Sequence, residues 1–263
     1  MRQYLLPPSF RGEALLKLSE KEAKYLERVL RFPVGHQFSG IDRSGQVWDL
    51  TLLPGSQLAC KRAEDGTPQA TSDTLPSFRG PFPPIHLYQC LCKGKKDETI
   101  LRMAAEAGVT KITFVQSRFC TVDLSDKGGK AIQARNLRLE AIIKEAIQQS
   151  GSPVPTQLSP DILTTEEVAT HATGVKLYFH QSQRDQETLP HLLSTAKADE
   201  EISLIIGSEG GLSEEECDLL SHSGFHPVLL KTNILRAETA AIYAIAACQV
   251  ILTEHITTSG GTV

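Results

Sequence analysis

Leu204-Ile205-Ile206-Gly207-Ser208-Glu209-Gly210-Gly211-Leu212-Ser213-Glu214-Glu215-Glu216 and, a little further on, Leu229-Leu230-Lys231-Thr232-Asn233-Ile234-Leu235-Arg236-Ala237-Glu238-Thr239-Ala240-Ala241 decide the reading of this chain. Each starts as a buried strand, runs into a loop of special composition and opens a helix. In α/β sheets, ligands bind in the crevice outside the carboxyl ends of the strands. Two such loops on neighbouring units point to a ligand site.

Working outward, the same strand–helix rhythm fills the chain from residue 85 onwards. Strands are predicted at Ile85 to Leu91, Lys111 to Val115, Val175 to Phe179, Ile202 to Ile206 and Val228 to Leu230. Helices are predicted at Asp97 to Ala107, with Gly108 at the left-handed cap position, and at Ala131 to Gln149, where Leu139, Ile142, Ile143, Ala146 and Ile147 recur at helical spacing. Ser213 to Ser223 carries a capping box (Ser213, Glu216), and Ala237 to Thr253 is a closing apolar helix. This alternation implies a mostly parallel sheet with helices on both faces. The tail from Thr257 is expected to fray.

The first part reads differently. Ser19 and Glu22 form a capping box, and the helix they open carries Ala23, Leu26, Val29 and Leu30 on one face until Pro33 stops it. Gln37 to Ile41 and Gln46 to Leu53 flank the turn Asp42-Arg43-Ser44-Gly45, and Leu58 to Ala63 is a further strand. Between Thr67 and Pro84, five prolines among Ser, Thr, Asp and Gly disfavour helix and central strand alike. A small β-rich domain over residues 1–75 and an α/β domain over 76–263 are expected.

Hydrophobic residues make up 40% and charged residues 22% of the 263, the balance of a soluble globular protein. The apolar stretches read as strand-length, too short for a bilayer, and the start lacks a secretory signal, so a cytoplasmic protein with no membrane role is expected. Cys60, Cys90, Cys92, Cys120, Cys217 and Cys248 show no zinc-type pairing, and no metal is expected. A net charge of −4 argues against indiscriminate nucleic-acid binding. It leaves room for local basic faces at Lys93, Lys95 and Lys96, at Arg135, Arg138 and Lys144, and at Arg28, Arg31 and Arg43.

The Gly207 loop is neither a phosphate-cradling Gly-Lys-Ser/Thr loop nor the dinucleotide Gly-x-Gly-x-x-Gly turn. Its glycines allow close backbone approach to a flat ring, or serve only as a tight strand-to-helix turn. In the second loop Arg236 offers a fixed positive charge to a phosphate or a reacting base. Glu238 and Thr239 suit the first turn of a helix, where an Arg236–Glu238 pair is the plainer reading.

Together these segments resemble the knotted (SPOUT) RNA methyltransferases, in particular the ribosomal RNA small subunit methyltransferase E family. Ile206-Gly207-Ser208-Glu209-Gly210-Gly211-Leu212-Ser213 is similar to that family's Ile-Gly-Pro-Glu-Gly-Gly-Phe-Ser. Ile234-Leu235-Arg236-Ala237-Glu238-Thr239-Ala240 is similar to its Ile-Leu-Arg-Thr-Glu-Thr-Ala. Weaker likenesses lie at Arg28 to Arg31 and Glu106 to Ile112. Departures include Ser208 for Pro, Ala237 for Thr, Gln148-Gln149-Ser150-Gly151-Ser152 for Glu-Gln-Ser-Gly-Arg, Ser117-Arg118-Phe119 for Ser-Glu-Arg, Met103 for a Lys, and Gln181 for a Glu.

The resemblance implies a PUA-like N-terminal β-barrel and a trefoil-knotted α/β domain that binds S-adenosylmethionine. Carried over, the donor site comprises Phe179, His180, Gln181, Ile206, Gly207, Glu209, Gly210, Gly211, Leu230, Ile234, Leu235, Arg236, Thr239 and Ala240. Arg236 and Glu238 are the implied catalytic residues, and Arg28, Arg31, Lys93, Lys95, Lys96 and Arg118 the candidate RNA contacts. The implied partners are 16S rRNA in the small ribosomal subunit and a second copy of the chain, and the implied reaction is methylation of a uridine at N3. Another base, a ribose 2′-hydroxyl, or a non-catalytic RNA-binding or assembly role remain as alternatives.

Overall fold

The computed structural model describes residues 3–63, 83–124, 128–181, 187–194, 196, 197 and 199–259. Most of the proline-rich stretch from Thr67 to Pro84 therefore lies outside the described residues, as do residues 260–263. The chain divides into two compact units, residues 1–80 with 144–155, and residues 81–143 with 156–263. The first unit thus takes residues 144–155, which a linear reading assigns to the second.

In the first unit, β1 (Tyr4–Leu5), β2 (Leu15–Lys17), β3 (Gln37–Ile41), β4 (Val47–Leu53) and β5 (Gln57–Arg62) form a five-stranded sheet in the order β1-β3-β4-β5-β2. Only β1 and β3 run parallel. The turn before β4 is built by Asp42, whose Oδ1 accepts from the Ser44 and Gln46 amides while Oδ2 accepts from Trp48 Nε1 at 2.9 Å. Trp48, Leu50 and Leu52 alternate inward onto Tyr4, Leu16, Leu26 and Leu58, the core of this unit. The Ser19–Glu22 capping box opens α1 (Glu20–Lys24). The helix does not run on regularly to Pro33, however. It widens into a π turn over Tyr25–Val29, and Arg31 takes a left-handed φ of 56°. Phe32 N–H then returns to the Leu26 carbonyl at 3.0 Å, a Schellman-like closure made without glycine. The 144–155 segment is tied in by Lys144 to Glu22 at 3.3 Å and by Gln3, whose side chain donates to the Ser152 carbonyl.

The second unit is a six-stranded, wholly parallel sheet. Its elements are β6 (Ile85–Cys90), α2 (Lys96–Glu106), β7 (Lys111–Gln116), α3 (Gly129–Ser150), β8 (Gln157–Thr164), α4 (Thr165–His171), β9 (Val175–Phe179), α5 (Leu189–Leu193), β10 (Ile202–Ile206), α6 (Glu214–His222), β11 (His226–Val228) and α7 (Ala237–Ser259). The residues of α3 from Lys144 on cluster with the first unit. The sheet order is β11-β9-β10-β6-β7-β8. Strands β6 and β10 are buried at every position, as befits central parallel strands covered on both faces. The chain builds outward from β6 through β7 to β8, returns to place β9 and β10 on the other side, and finally sets β11 outside β9. Every strand therefore points its carboxyl end the same way, and the loops after β9, β10 and β11 gather at one edge.

Two expectations change here. The tail expected to fray from Thr257 continues α7 to Ser259. The apolar stretches are also not all strand-length. The window Ala237–Glu254 of α7 is long and apolar enough to cross a bilayer by length and composition. In this fold the helix packs against α2, α5 and β10, with 33% of that window buried.

Candidate active site

A cavity of about 400 Å³ opens at the carboxyl ends of β9, β10 and β11. Three segments wall it: Phe179 to Gln181, Ile206 to Gly211, and Val228 to Leu230 with Thr232 to Ala237. Ala240 and Lys96 complete the lining. Its size is that of sites for drug-sized ligands, about 300–1,000 Å³.

The Gly207 wall is glycine for a steric reason. A β-carbon on Gly207 would stand 2.8 Å from the Gly211 Cα and carbonyl carbon, so the loop could not fold back on itself. Gly211 has a φ of 75°, and its amide donates to the Ser208 carbonyl at 2.9 Å. A β-carbon on Gly210 would meet Phe119 at 2.8 Å. Beneath the loop, Gln89 Nε2 donates to the Cys90 carbonyl at 3.0 Å and reaches the Gly207 carbonyl at 3.5 Å. Past it, Ser213 and Glu216 close the capping box of α6. The buried Glu216 carboxylate also accepts from the Arg118 amide at 2.9 Å and from Thr165 Oγ1 at 2.8 Å, tying the loop after β7 and the start of α4 to this helix.

Glu209 at the tip of the loop is held by Lys96. Its Oε1 lies 2.8 Å from Lys96 Nζ and accepts from the Lys93 amide at 3.0 Å. Burial raises the Glu209 pKa, but these hydrogen bonds outweigh it and the carboxyl is held below its usual range. The hydrogen bond to Glu209 in turn raises the Lys96 pKa.

In the second wall Arg236 immediately precedes α7, and its carbonyl accepts the first helical hydrogen bond, from Ala240 N–H at 2.8 Å. Its exposed guanidinium has no hydrogen-bond or ion-pair partner among the described residues. The Arg236–Glu238 pair read from the sequence is not made among the described residues. Glu238 Oε2 lies instead 3.8 Å from Lys96 Nζ. The reason is positional, since Glu238 sits in the first turn of α7, which packs against α2, the helix that Lys96 opens.

The structure brings together Phe179, His180, Gln181, Ile206, Gly207, Glu209, Gly210, Gly211, Leu230, Ile234, Leu235, Arg236 and Ala240 around this one cavity. Thr239 is exposed and outside the lining, turned away by the pitch of α7. Ser208, Leu229, Thr232 and Asn233, which lie within the Gly207 to Gly211 and Leu229 to Arg236 loops of the sequence reading, also line the cavity, as do Val228 and Ala237 outside them. Gln89 was legible in principle, as an amide within the otherwise largely apolar strand Ile85-His86-Leu87-Tyr88-Gln89-Cys90.

Of the basic candidates, Lys93 and Lys95 are exposed beside the start of α2, and Arg28 and Arg31 are exposed in the first unit. Arg118 pairs with Glu215 at 3.0 Å. The Arg135, Arg138 and Lys144 group is taken up by carboxylates: Asp97 at 2.8 Å, Glu98 at 3.0 Å and Glu22 at 3.3 Å respectively. All six cysteines are free thiols, and among the described residues no three His, Cys, Asp or Glu side chains gather as a metal-ligand set.

A parallel α/β unit with a cavity of this size at its strand ends, walled by glycine backbone and bordered by an Arg with no partner among the described residues, defines a ligand-binding enzyme of the open-sheet class. Residues 79–249 match the RNA methyltransferase domain family. The chain is 30% identical over 237 residues to ribosomal RNA small subunit methyltransferase E of Rickettsia conorii, covering 87% of this chain and 86% of the relative. It also resembles ribosomal RNA small subunit methyltransferase E from Neisseria gonorrhoeae, solved bound to S-adenosylmethionine, with a TM-score of 0.74, 25% identity, and 95% and 98% of the two chains covered. A methyltransferase of Legionella pneumophila in complex with the same cofactor gives a TM-score of 0.75 at 26% identity, with 95% and 97% covered. The chain belongs to the ribosomal RNA small subunit methyltransferase E family of RNA methyltransferases, enzymes that take their methyl group from S-adenosylmethionine.

Proposed function

We propose that this chain transfers a methyl group from S-adenosylmethionine to N3 of a specific uridine in the 16S rRNA of the small ribosomal subunit. The observation that carries this reading is the single cavity formed by the Phe179, Gly207 and Arg236 segments at three neighbouring strand ends. The residues present fit the donor. The Gly207–Gly211 fold-back, with no room for a side chain at Gly207 or Gly210, exposes backbone to a flat ring, and the apolar Ile206, Leu230, Ile234 and Leu235 line the same space. When bound, the donor supplies an electrophilic methyl group on a positively charged sulfur.

Arg236 is the catalytic residue of this reading. Uridine N3 must lose its proton before it becomes a good nucleophile, and water takes that proton. A cation with no partner among the described residues, at the positive end of α7, stabilises the N3 anion as it forms. Holding the two reactants in line supplies a further share of the barrier reduction. Glu238 serves through Lys96 rather than by orienting Arg236.

In the same reading the α/β unit carries the trefoil knot of its family, the loops after β9, β10 and β11 being the knotted segments. Residues 1–75, which fall within the first unit, form a PUA-like RNA-binding domain. Arg28 and Arg31 on that unit, and Lys93, Lys95 and Arg118 on the other, contact rRNA phosphates, so binding weakens as salt rises. A second copy of the chain docks on α7, where Tyr243, Ala246 and Val250 are exposed at helical spacing. The enzyme works in the cytoplasm, where its ribosomal substrate is.

Calorimetry with S-adenosylhomocysteine, and methyl transfer to purified small subunits, test the reading. Binding without transfer to any RNA would favour a non-catalytic role. Transfer to a ribose 2′-hydroxyl would replace the acceptor but keep the site.

A further inference from the structure

Lys96 stands where three segments of the second unit meet. It opens α2, lines the cavity, and places its ammonium 2.8 Å from Glu209 Oε1 and 3.8 Å from Glu238 Oε2. Glu209 belongs to the Gly207 wall, and Glu238 to the helix that follows Arg236. The Glu238 Oε2 atom is enclosed and makes no hydrogen bond among the described residues, so the lysine is the cation it faces. The contact is closed on the first wall and at ion-pair distance on the second. To read an RNA phosphate, this lysine, 32% exposed, would have to leave both carboxylates.

We propose that Lys96 is a positioning residue, a clamp that ties the two walls of the donor cavity together, and not an RNA ligand. Without it, the Glu209 and Glu238 carboxylates would face the same gap with no cation between them, and like charges would push the walls apart. The Gly207 loop is the wall this strain would move, because its glycine backbone is the more deformable of the two. Each contact is partly exposed and therefore modest, but both act on the same cavity. This inference rests on the donor-cavity reading above for its functional consequence, though not for its structural core.

Hydrogen exchange on the ligand-free protein tests the clamp without any donor. In Lys96→Met, peptides covering residues 207–211 and 232–240 should both exchange faster, and Lys96→Arg should restore both, since a guanidinium can bridge the same carboxylates. S-adenosylhomocysteine affinity should fall about threefold to tenfold in Lys96→Met, with small-subunit binding unchanged. Exchange unaltered in both peptides overturns the clamp, as does a loss of small-subunit binding with donor affinity intact. If the wild-type protein does not bind S-adenosylhomocysteine, the donor reading falls while the exchange result still decides the clamp. Should Lys96→Met fail to fold, Glu209→Gln breaks the tighter contact from the other side and must loosen the same two peptides.

Discussion

Gly207 and Gly211 approach so closely that a β-carbon on the first would lie 2.8 Å from the Cα and carbonyl carbon of the second. Both partners at that point are backbone, which cannot swing aside as a side chain can. Gly207→Ala should therefore cost about 1–3 kcal/mol of stability, the range of overpacked sites, and should open the cavity. The check is a urea midpoint together with S-adenosylhomocysteine affinity. Gly128→Ala, where a β-carbon meets nothing within 4 Å, is the control and should change neither.

Arg236 separates binding from chemistry. If its charge acts on the acceptor, Arg236→Ala should lower turnover by about 10²-fold, the scale for removing one stabilising donor. S-adenosylhomocysteine affinity should change far less. Single-turnover kinetics beside calorimetry read the two quantities. Equal losses in both would make Arg236 a donor-binding residue instead.

Asp97 and Arg135 form the most enclosed ion pair of the second unit with a described contact. Asp97 Oδ2 lies 2.8 Å from Arg135 Nη2, and the two side chains are 13% and 15% exposed. The guanidinium also covers the Phe114 ring at 4.2 Å. Burial pushes the Asp97 pKa up, against the Cys92 amide and the Arg135 charge that pull it down. Arg135→Met should cost about 3–5 kcal/mol, because it strands a buried carboxylate. The double variant Asp97→Asn with Arg135→Met should recover a large part of that loss, as the unfolding midpoint will show.

His86 gives the protein an acid-sensitive point away from the cavity. It is buried on β6, stacked on Tyr88, with Nε2 2.8 Å from Thr113 Oγ1. Burial first, then the Lys111 charge, pushes its pKa down to about 3. The Glu201 carboxylate, 3.8 Å from Nδ1, favours the cation but is outweighed. In the unfolded chain the ring protonates below about pH 6.5. Between that value and about 3, the unfolded state binds the extra proton, so stability falls as pH falls through this window. His86→Gln should flatten the drop in melting temperature between neutral and mildly acid pH. An unchanged slope would place the sensitivity elsewhere.

The sequence carried the α/β rhythm because strands such as Ile202 to Ile206 are continuous apolar runs and helices such as α6 announce themselves by a capping box. It did not carry β8. Gln157 to Thr164 is a partly exposed strand at the sheet edge with Pro160 inside it, and neither apolar run nor clean alternation marks such an edge. The π turn after α1 was equally hidden, since a wider turn needs no change in residue type. At the site, the loops were legible from their glycines and from Arg236. The reassignment of Lys96 and Glu238 was not, because it depends on α2 packing against α7 across more than a hundred residues of chain.

The most direct test of the central claim is nucleoside analysis of small-subunit rRNA after incubation with the purified protein and S-adenosylmethionine. The account predicts one new 3-methyluridine in 16S rRNA, formed by the wild-type protein and strongly reduced with Arg236→Ala. Methyl groups on ribose or on another base, or none at all from a protein that binds the donor, would contradict it.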